Sequence, residues 1–455
     1  MRFESANNGS KRIFFCLMKT AVLAFSILIV CGCGSAIKKA DPLPVQASPL
    51  VELPESSKSN ATIQFLLNRV NADPDDFIAH NKLASEYMKE MRATGDVKYL
   101  ELALQAAKQS LQILPAEQNK GGLAALAHAE FSGHQFVNSR DHALRLAEID
   151  PGKTYVYQLL SDAYYELGQY EDAEAALNKM SELSSDQGME RVAVEQRLAK
   201  MATIRGDLKK ALSHMTRALQ LTEDLSNPQA ETIAWSRWQL GEMVFSQGDI
   251  DGAEKYLNSS LKAFPGYFAA EEALNHLRAA RGDIKGAIEG YEKAAAGPAP
   301  DPAVLAMLGD LYKLTGRDNE AAAKFTQFNE ITRAAQGNIY GREIWLFNAN
   351  HDIETAETCD AAARDYEIRK DVFGADVMAW ACFKAGRMDE AKSAIKDAMR
   401  FETKNAQFFY HAGMIENALG NENEAIRLLA LSLKTNPAFD LLQVSVARNV
   451  LSSLR

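Results

Sequence analysis

Cysteine is scarce in this chain, with five in 455 residues, and tryptophan scarcer still, with four. So sparse a set holds no Cys-x-x-Cys and no metal-binding spacing. The N-terminal apolar run, Thr20 to Val30, is too short to span a bilayer by about seven residues. No stretch of strict polar and apolar alternation is long enough for a strand, and β-branched runs are few, so a sheet is not expected. Clustered Lys and Arg are missing, and the formal net charge is −10. Nucleic-acid binding, which needs a basic stripe to neutralise phosphates, is excluded. Catalytic motifs are equally absent: there is no Gly-x-Ser-x-Gly and no His-Glu-x-x-His. Gly152-Lys153-Thr154 imitates the end of a phosphate-binding loop, but Ala147 stands where the earlier glycine belongs and no strand precedes it. His128, His134 and His142 are spaced by six and eight residues, which does not give the shared helical face of a metal-binding pair. No enzyme activity, metal or small-molecule cofactor is expected.

What is present begins at the N-terminus. Arg2, Lys11, Arg12 and Lys19 precede the apolar run, the pattern of a signal peptide. The run ends in Val30-Cys31-Gly32-Cys33-Gly34-Ser35. This resembles the bacterial lipobox, in which a small residue precedes the cysteine that is cleaved and lipidated. The resemblance implies a signal peptide over residues 1–32 and a lipid such as palmitate on Cys33. Ordinary cleavage near Gly34 and an uncleaved anchor are the alternatives. Gly34 stands where an acidic residue would retain a lipoprotein in the inner membrane, which implies the periplasmic face of the outer membrane in a Gram-negative host. Met18-Lys19-Thr20 also reads as the start of a signal peptide by itself, so Met1 and Met18 both stay open as the first residue. Residues 33–60 hold Pro42, Pro44, Pro49 and Pro54 among several serines and show no helical period, the composition of a tether.

Beyond the tether the chain is periodic. Counted from Ala253, small alanines recur at Ala287, Ala321, Ala356, Ala391 and Ala425, in steps of 34, 34, 35, 35 and 34 residues. Gly248, Gly282, Gly316, Gly386 and Gly420 each sit five residues ahead of one, with His351 in the same slot of the unit that lacks glycine. A fixed period in this range marks a solenoid of stacked units. Within residues 302–335, Leu305, Leu308 and Leu311 mark one helix, Gly316-Arg317 ends it, and Ala321, Phe325 and Phe328 mark a second. Glycine permits the left-handed turn between helices, and alanine lets them approach closely. Prolines at 115, 151, 265 and 437 close units.

These features resemble the tetratricopeptide repeat, most fully over 154–187 with Leu160, Tyr164, Gly168, Tyr170, Ala173 and Leu177, then from 234 with Leu240-Gly241, Gly248, Ala253, Leu257 and Pro265. The resemblance implies an all-α, right-handed superhelical solenoid of about ten helix-turn-helix units over 61–440, with a capping helix over 441–455. Departures are expected as a longer turn from Met91 to Tyr99, Ser139 in place of alanine, and spacers at 188–191 and 226–233 that mark candidate kinks. Cys359 and Cys382 fall in adjacent units. A disulfide is allowed there in an oxidising compartment, although two such sparse cysteines more commonly serve as small buried apolar residues.

In this family the second, fifth, ninth and twelfth places of a unit tend to line the concave face. With units indexed from 120, 154, 192, 234, 268, 302, 337, 372 and 406, all four tryptophans fall in that set: Trp235, Trp238, Trp345 and Trp380. So do Phe131, Tyr155, Tyr165, Phe245, Phe383 and Tyr410. Rigid rings bury large area at low entropic cost, which suits a groove for a peptide or helix. The competing reading is that the rings pack between neighbouring first helices. Arg197, Lys200 and Lys313 face the same groove, but so do Asp162, Glu242 and Asp310, so no dedicated carboxylate clamp stands out. The expectation is a non-catalytic, lipid-anchored scaffold binding envelope proteins or peptides; the alternative is an envelope protein or enzyme subunit that binds glycan or peptidoglycan.

Overall fold

In the computed structural model the described residues are 54, 60–297, 300–334 and 340–455. The signal peptide, Cys33 and most of the tether lie outside them. Among the described residues there are 22 helices and no strand. The first, Ala61–Ala72, begins where the Asn60 side chain accepts hydrogen bonds from the Thr62 and Ile63 amides, satisfying donors that a helix start otherwise leaves open. Ten helix pairs follow, numbered here as units one to ten and starting at residues 77, 120, 154, 188, 230, 268, 302, 341, 372 and 406. Gln443–Ser453 then caps the array, burying Val444, Ala447 and Leu451.

The punctuation of the sequence has direct structural counterparts. Gly248, Gly282, Gly316, Gly386 and Gly420 all adopt left-handed φ, between 75° and 83°. At Gly168 (φ 73°) the reversal is closed by the Gln169 amide donating to the Tyr164 carbonyl at 2.9 Å, which satisfies an orphan acceptor at the helix end. Ala253, Ala287, Ala321, Ala391 and Ala425 each occupy the fourth position of a second helix and are buried. In unit two Ser139 takes that position, and its hydroxyl donates to the Ala127 carbonyl at 2.8 Å.

Unit eight breaks the pattern. Ala356 is exposed, and Thr358 is the buried residue at the fourth position of Thr355–Ile368. His351 has φ −106°, and the left-handed residues are Asp352 and Glu354. Without glycine the chain reverses over 351–354, one residue more than the 315–317 and 385–387 turns, so the regular step to Ala356 in the sequence does not correspond to the packing step. The other irregularities are absorbed by helix length. The turn expected over Met91 to Tyr99 shrinks to 95–97 between Phe77–Thr94 and Lys98–Ile113, while the spacers feed the first turns of Gly188–Ile204 and Ala230–Phe245. Unit eight is also tied covalently to unit nine: Cys359 and Cys382 are bonded, with Cα atoms 4.6 Å apart. Of the two readings left open for these cysteines, the disulfide holds and the less usual one is present; the close approach of the adjoining helices brings the side chains together.

A feature absent from the sequence pattern is a seam between units five apart. The turn glycines of units three, four and five lie against the inter-unit loops that follow units eight, nine and ten. The Lys370 amide donates to the Leu167 carbonyl at 3.1 Å, the Thr403 hydroxyl to the Ile204 carbonyl at 2.7 Å, and the Asn436 side chain to the Phe245 carbonyl at 3.0 Å. Phe401 stands edge-on to Tyr170 at 5.2 Å. A Cβ at Gly168 or Gly206 would overlap the backbone of Lys370 or Glu402, and one at Gly248 would meet Pro437 at 2.9 Å. Gly282, Gly316, Gly386 and Gly420 have nothing within 4 Å of the same position. The largest apolar cluster accordingly joins Tyr170, Leu177 and Ile204 to Trp380, Phe408 and Leu429.

Candidate binding groove

The first helices of units two to five enclose a concavity of about 650 Å³, with Arg92 of unit one at its edge. That volume lies in the range of small-ligand pockets. Three ring positions expected on the concave face line it: Phe131, Tyr155 and Trp235, all half-buried. Tyr155 is fixed by its hydroxyl, which donates to Asp150 at 2.9 Å. Desolvation, followed by that hydrogen bond, pushes the phenol up to about 12.

Most of the charge in the concavity already has a partner. Arg197 holds Asp162, Arg92 meets Glu231 at 3.4 Å, and Glu190 accepts from the Thr154 hydroxyl at 2.6 Å. Lys200 lies 3.6 Å from Glu166 and over the Tyr165 ring at 4.6 Å. Burial lowers His128 to about 4, with Arg92 adding to the shift, so its imidazole is neutral at neutral pH. Gln158, Gln196 and Gln239 also line the concavity, and their carboxamides have no hydrogen-bond partner among the described residues. Gln158 and Gln196 occupy the fifth place of units indexed from 154 and 192; the same indexing that selected rings finds them once polar residues are admitted.

The remaining candidates sit elsewhere. Trp238 packs edge-on against Tyr267 at 6.5 Å. Phe245 is 8% exposed and stands 5.1 Å from His276, whose imidazole burial lowers to about 4. Tyr165 is 9% exposed and edge-on to Tyr170. Trp345 is half-buried against the large cluster. Trp380 and Tyr410 are each 1% exposed. The Trp380 indole donates to Asn350 at 2.8 Å and stacks on His411 at 4.3 Å and on the half-buried Phe383 at 5.1 Å. Tyr410 donates to Gln443 of the capping helix at 2.6 Å. In units nine and ten the rings thus fill the space between helices, and a partner reaches Trp380 only if those units part.

Further round the interior, Glu242 is raised to about 7 by burial and by the neighbouring Glu272, itself raised by burial. Cys359, Cys382 and Glu390 bring three ligand-type atoms within 4.8 Å, but the disulfide takes both sulfurs and leaves no thiolate donor.

Two stretches match models of the tetratricopeptide repeat, residues 154–187 and 190–265. A curated relative, cellulose synthase operon protein C of Xanthomonas axonopodis pv. citri (strain 306), is 30% identical over 173 residues. That match covers 35% of this chain and 11% of the relative, so the chain spans a small part of that protein's length. Among solved structures, the type IV pilus biogenesis factor PilW is similar with a TM-score of 0.38 and 16% identity, over 47% of this chain and 94% of PilW. A thermophilic repeat protein of Thermus thermophilus gives a TM-score of 0.34 and 18% identity, over 42% of this chain and 98% of its own. With repeat matches at its centre and helix pairs reversing at left-handed glycines over buried small residues, the chain carries tetratricopeptide repeats.

Proposed function

We propose that this protein is a non-catalytic scaffold of the bacterial cell envelope, anchored by a lipid on Cys33, that holds partner proteins along its concave face. The observation that carries the reading is the open concavity of units two to five, where Phe131, Tyr155 and Trp235 stay half-buried and line one space, while Tyr165, Phe245, Trp380 and Tyr410 are sealed. Half-buried rings in a preformed cleft are the usual anchors of a protein contact. The Cys359–Cys382 bond fits an oxidising compartment, and the lipobox-like Gly32-Cys33 with the Pro-rich tether fits a body suspended from a membrane. The outer membrane is the favoured location in a Gram-negative host, since Gly34 follows Cys33.

Cell fractionation tests the anchor: Cys33→Ser should move the protein out of the membrane fraction and block normal processing. Cross-linking in intact cells tests the groove. Trp235→Ala should lose a specific cross-linked partner that the parent chain captures; retention of every partner by the variant would refute the groove as the contact.

A further inference from the structure

The protein-holding role leaves unexplained why the concavity carries no net charge. Its charged lining groups are Arg92, Arg197 and Lys200 against Asp162, Glu190 and Glu231; all but Glu190, which accepts from the Thr154 hydroxyl, are ion-paired. A carboxylate or phosphate entering this half-buried site would have to take Arg92, Arg197 or Lys200 from its present partner and strand a charge, which is costly. His128, held neutral by burial, supplies no compensating charge. The groups that remain unengaged are uncharged or buried donors. They are the carboxamides of Gln158, Gln196 and Gln239, each offering two donors and an acceptor, and the Arg197 Nε, which is buried without an acceptor.

Flat apolar faces beside uncommitted amides match one ligand chemistry well. A pyranose ring presents a C–H face that covers an aromatic ring, and a rim of hydroxyls that both donate and accept. A site built to hydrogen-bond hydroxyls discriminates strongly against ligands that leave its polar groups unpaired. We infer that this concavity binds a segment of neutral oligosaccharide, stacked on Trp235 and Tyr155 and hydrogen-bonded by Gln158, Gln196 and Gln239. The inference goes beyond the protein-holding role: the concavity that Trp235 lines takes a saccharide as well as a protein partner.

The test is titration of the full chain with cellohexaose, maltohexaose, chitohexaose and, as an anionic control, hexagalacturonate, read by tryptophan fluorescence and calorimetry. At least one neutral hexasaccharide should bind saturably, and hexagalacturonate more weakly. Trp235→Ala should weaken that binding about tenfold, the loss expected for one ring stack. The double variant Gln158→Ala with Gln196→Ala should weaken it similarly at unchanged melting temperature, while Trp238→Phe, outside the pocket, should leave it unaltered. Binding of no neutral hexasaccharide overturns the inference, as does binding that survives Trp235→Ala. A saturable response to an uncharged peptide but to no sugar also overturns it, and leaves the protein-holding role standing.

Discussion

Trp235 of unit five and Trp380 of unit nine both take places that the indexing assigns to the concave face, yet one lines an open cavity and the other is sealed at 1% exposure. The difference lies in what the neighbouring units place opposite. Trp380 meets His411, Phe383 and Tyr410, so ring packs on ring and adjacent first helices close over the gap. The neighbours of Trp235 in the cavity include Gln196, Gln158 and the Arg197–Asp162 pair, polar groups that bond sideways or face water and leave the gap open. A place in a repeat therefore sets the direction of a side chain, while its neighbours in adjacent units decide whether it becomes wall or filling.

The most severe way to break the comparison is Trp380→Ala. It should cost about 3–5 kcal/mol, the usual range for emptying a large core side chain, measured by chemical denaturation. A loss under about 1 kcal/mol, within the range of ordinary surface changes, would mean that the C-terminal groove is as open as the N-terminal one. The seam joining the two regions comes next. Gly168→Ala should cost about 2–4 kcal/mol, combining left-handed strain with displacement of the Lys370 backbone. Gly316→Ala, at similar φ with open space, should cost only about 1 kcal/mol. Equal losses would remove the seam from the explanation.

Glu242 sharpens the comparison through pH. Its folded pKa of about 7 lies above the ordinary 4.5. The stability it contributes is therefore complete below pH 4.5 and is lost as pH rises through 7. Glu242→Gln should gain about 1–2 kcal/mol at pH 8, after discounting for partial solvent access, and nothing at pH 4; melting scans at both values read this out. The smallest expected effect on stability is Trp235→Ala, under about 1 kcal/mol, because a half-buried ring in an open cavity leaves little void behind. A loss as large as that for Trp380→Ala would erase the distinction between wall and filling.

The solenoid was legible in the sequence because its determinants are local. Glycine tolerates the left-handed turn cheaply, and small residues, alanine foremost, suit the close approach, so both recur at the period. Unit eight misled the reading at Ala356 because Asp352 and Glu354 replace glycine and shift Thr358 into the packed slot, a substitution with no fixed spelling. The disulfide was left open because partner choice depends on helix approach rather than spacing. That Phe131, Tyr155 and Trp235 face one space was legible from unit indexing. Exposure was not, since it depends on residues such as His411 and Gln443 in the units that follow. The seam was invisible, for its partners Leu167 and Lys370 are separated by most of the solenoid.

That seam also bears on how the protein is made. A simple solenoid matures from its N-terminus as it leaves the ribosome, each repeat needing only the one before it. Here the edges at Gly168, Gly206 and Gly248 stay bare until Lys370, Glu402 and Pro437 have been synthesised. Closing such long chain loops is slow, so the last third of the chain governs when the first half becomes resistant to proteases, and a truncated product would be recognised by its unfinished edge.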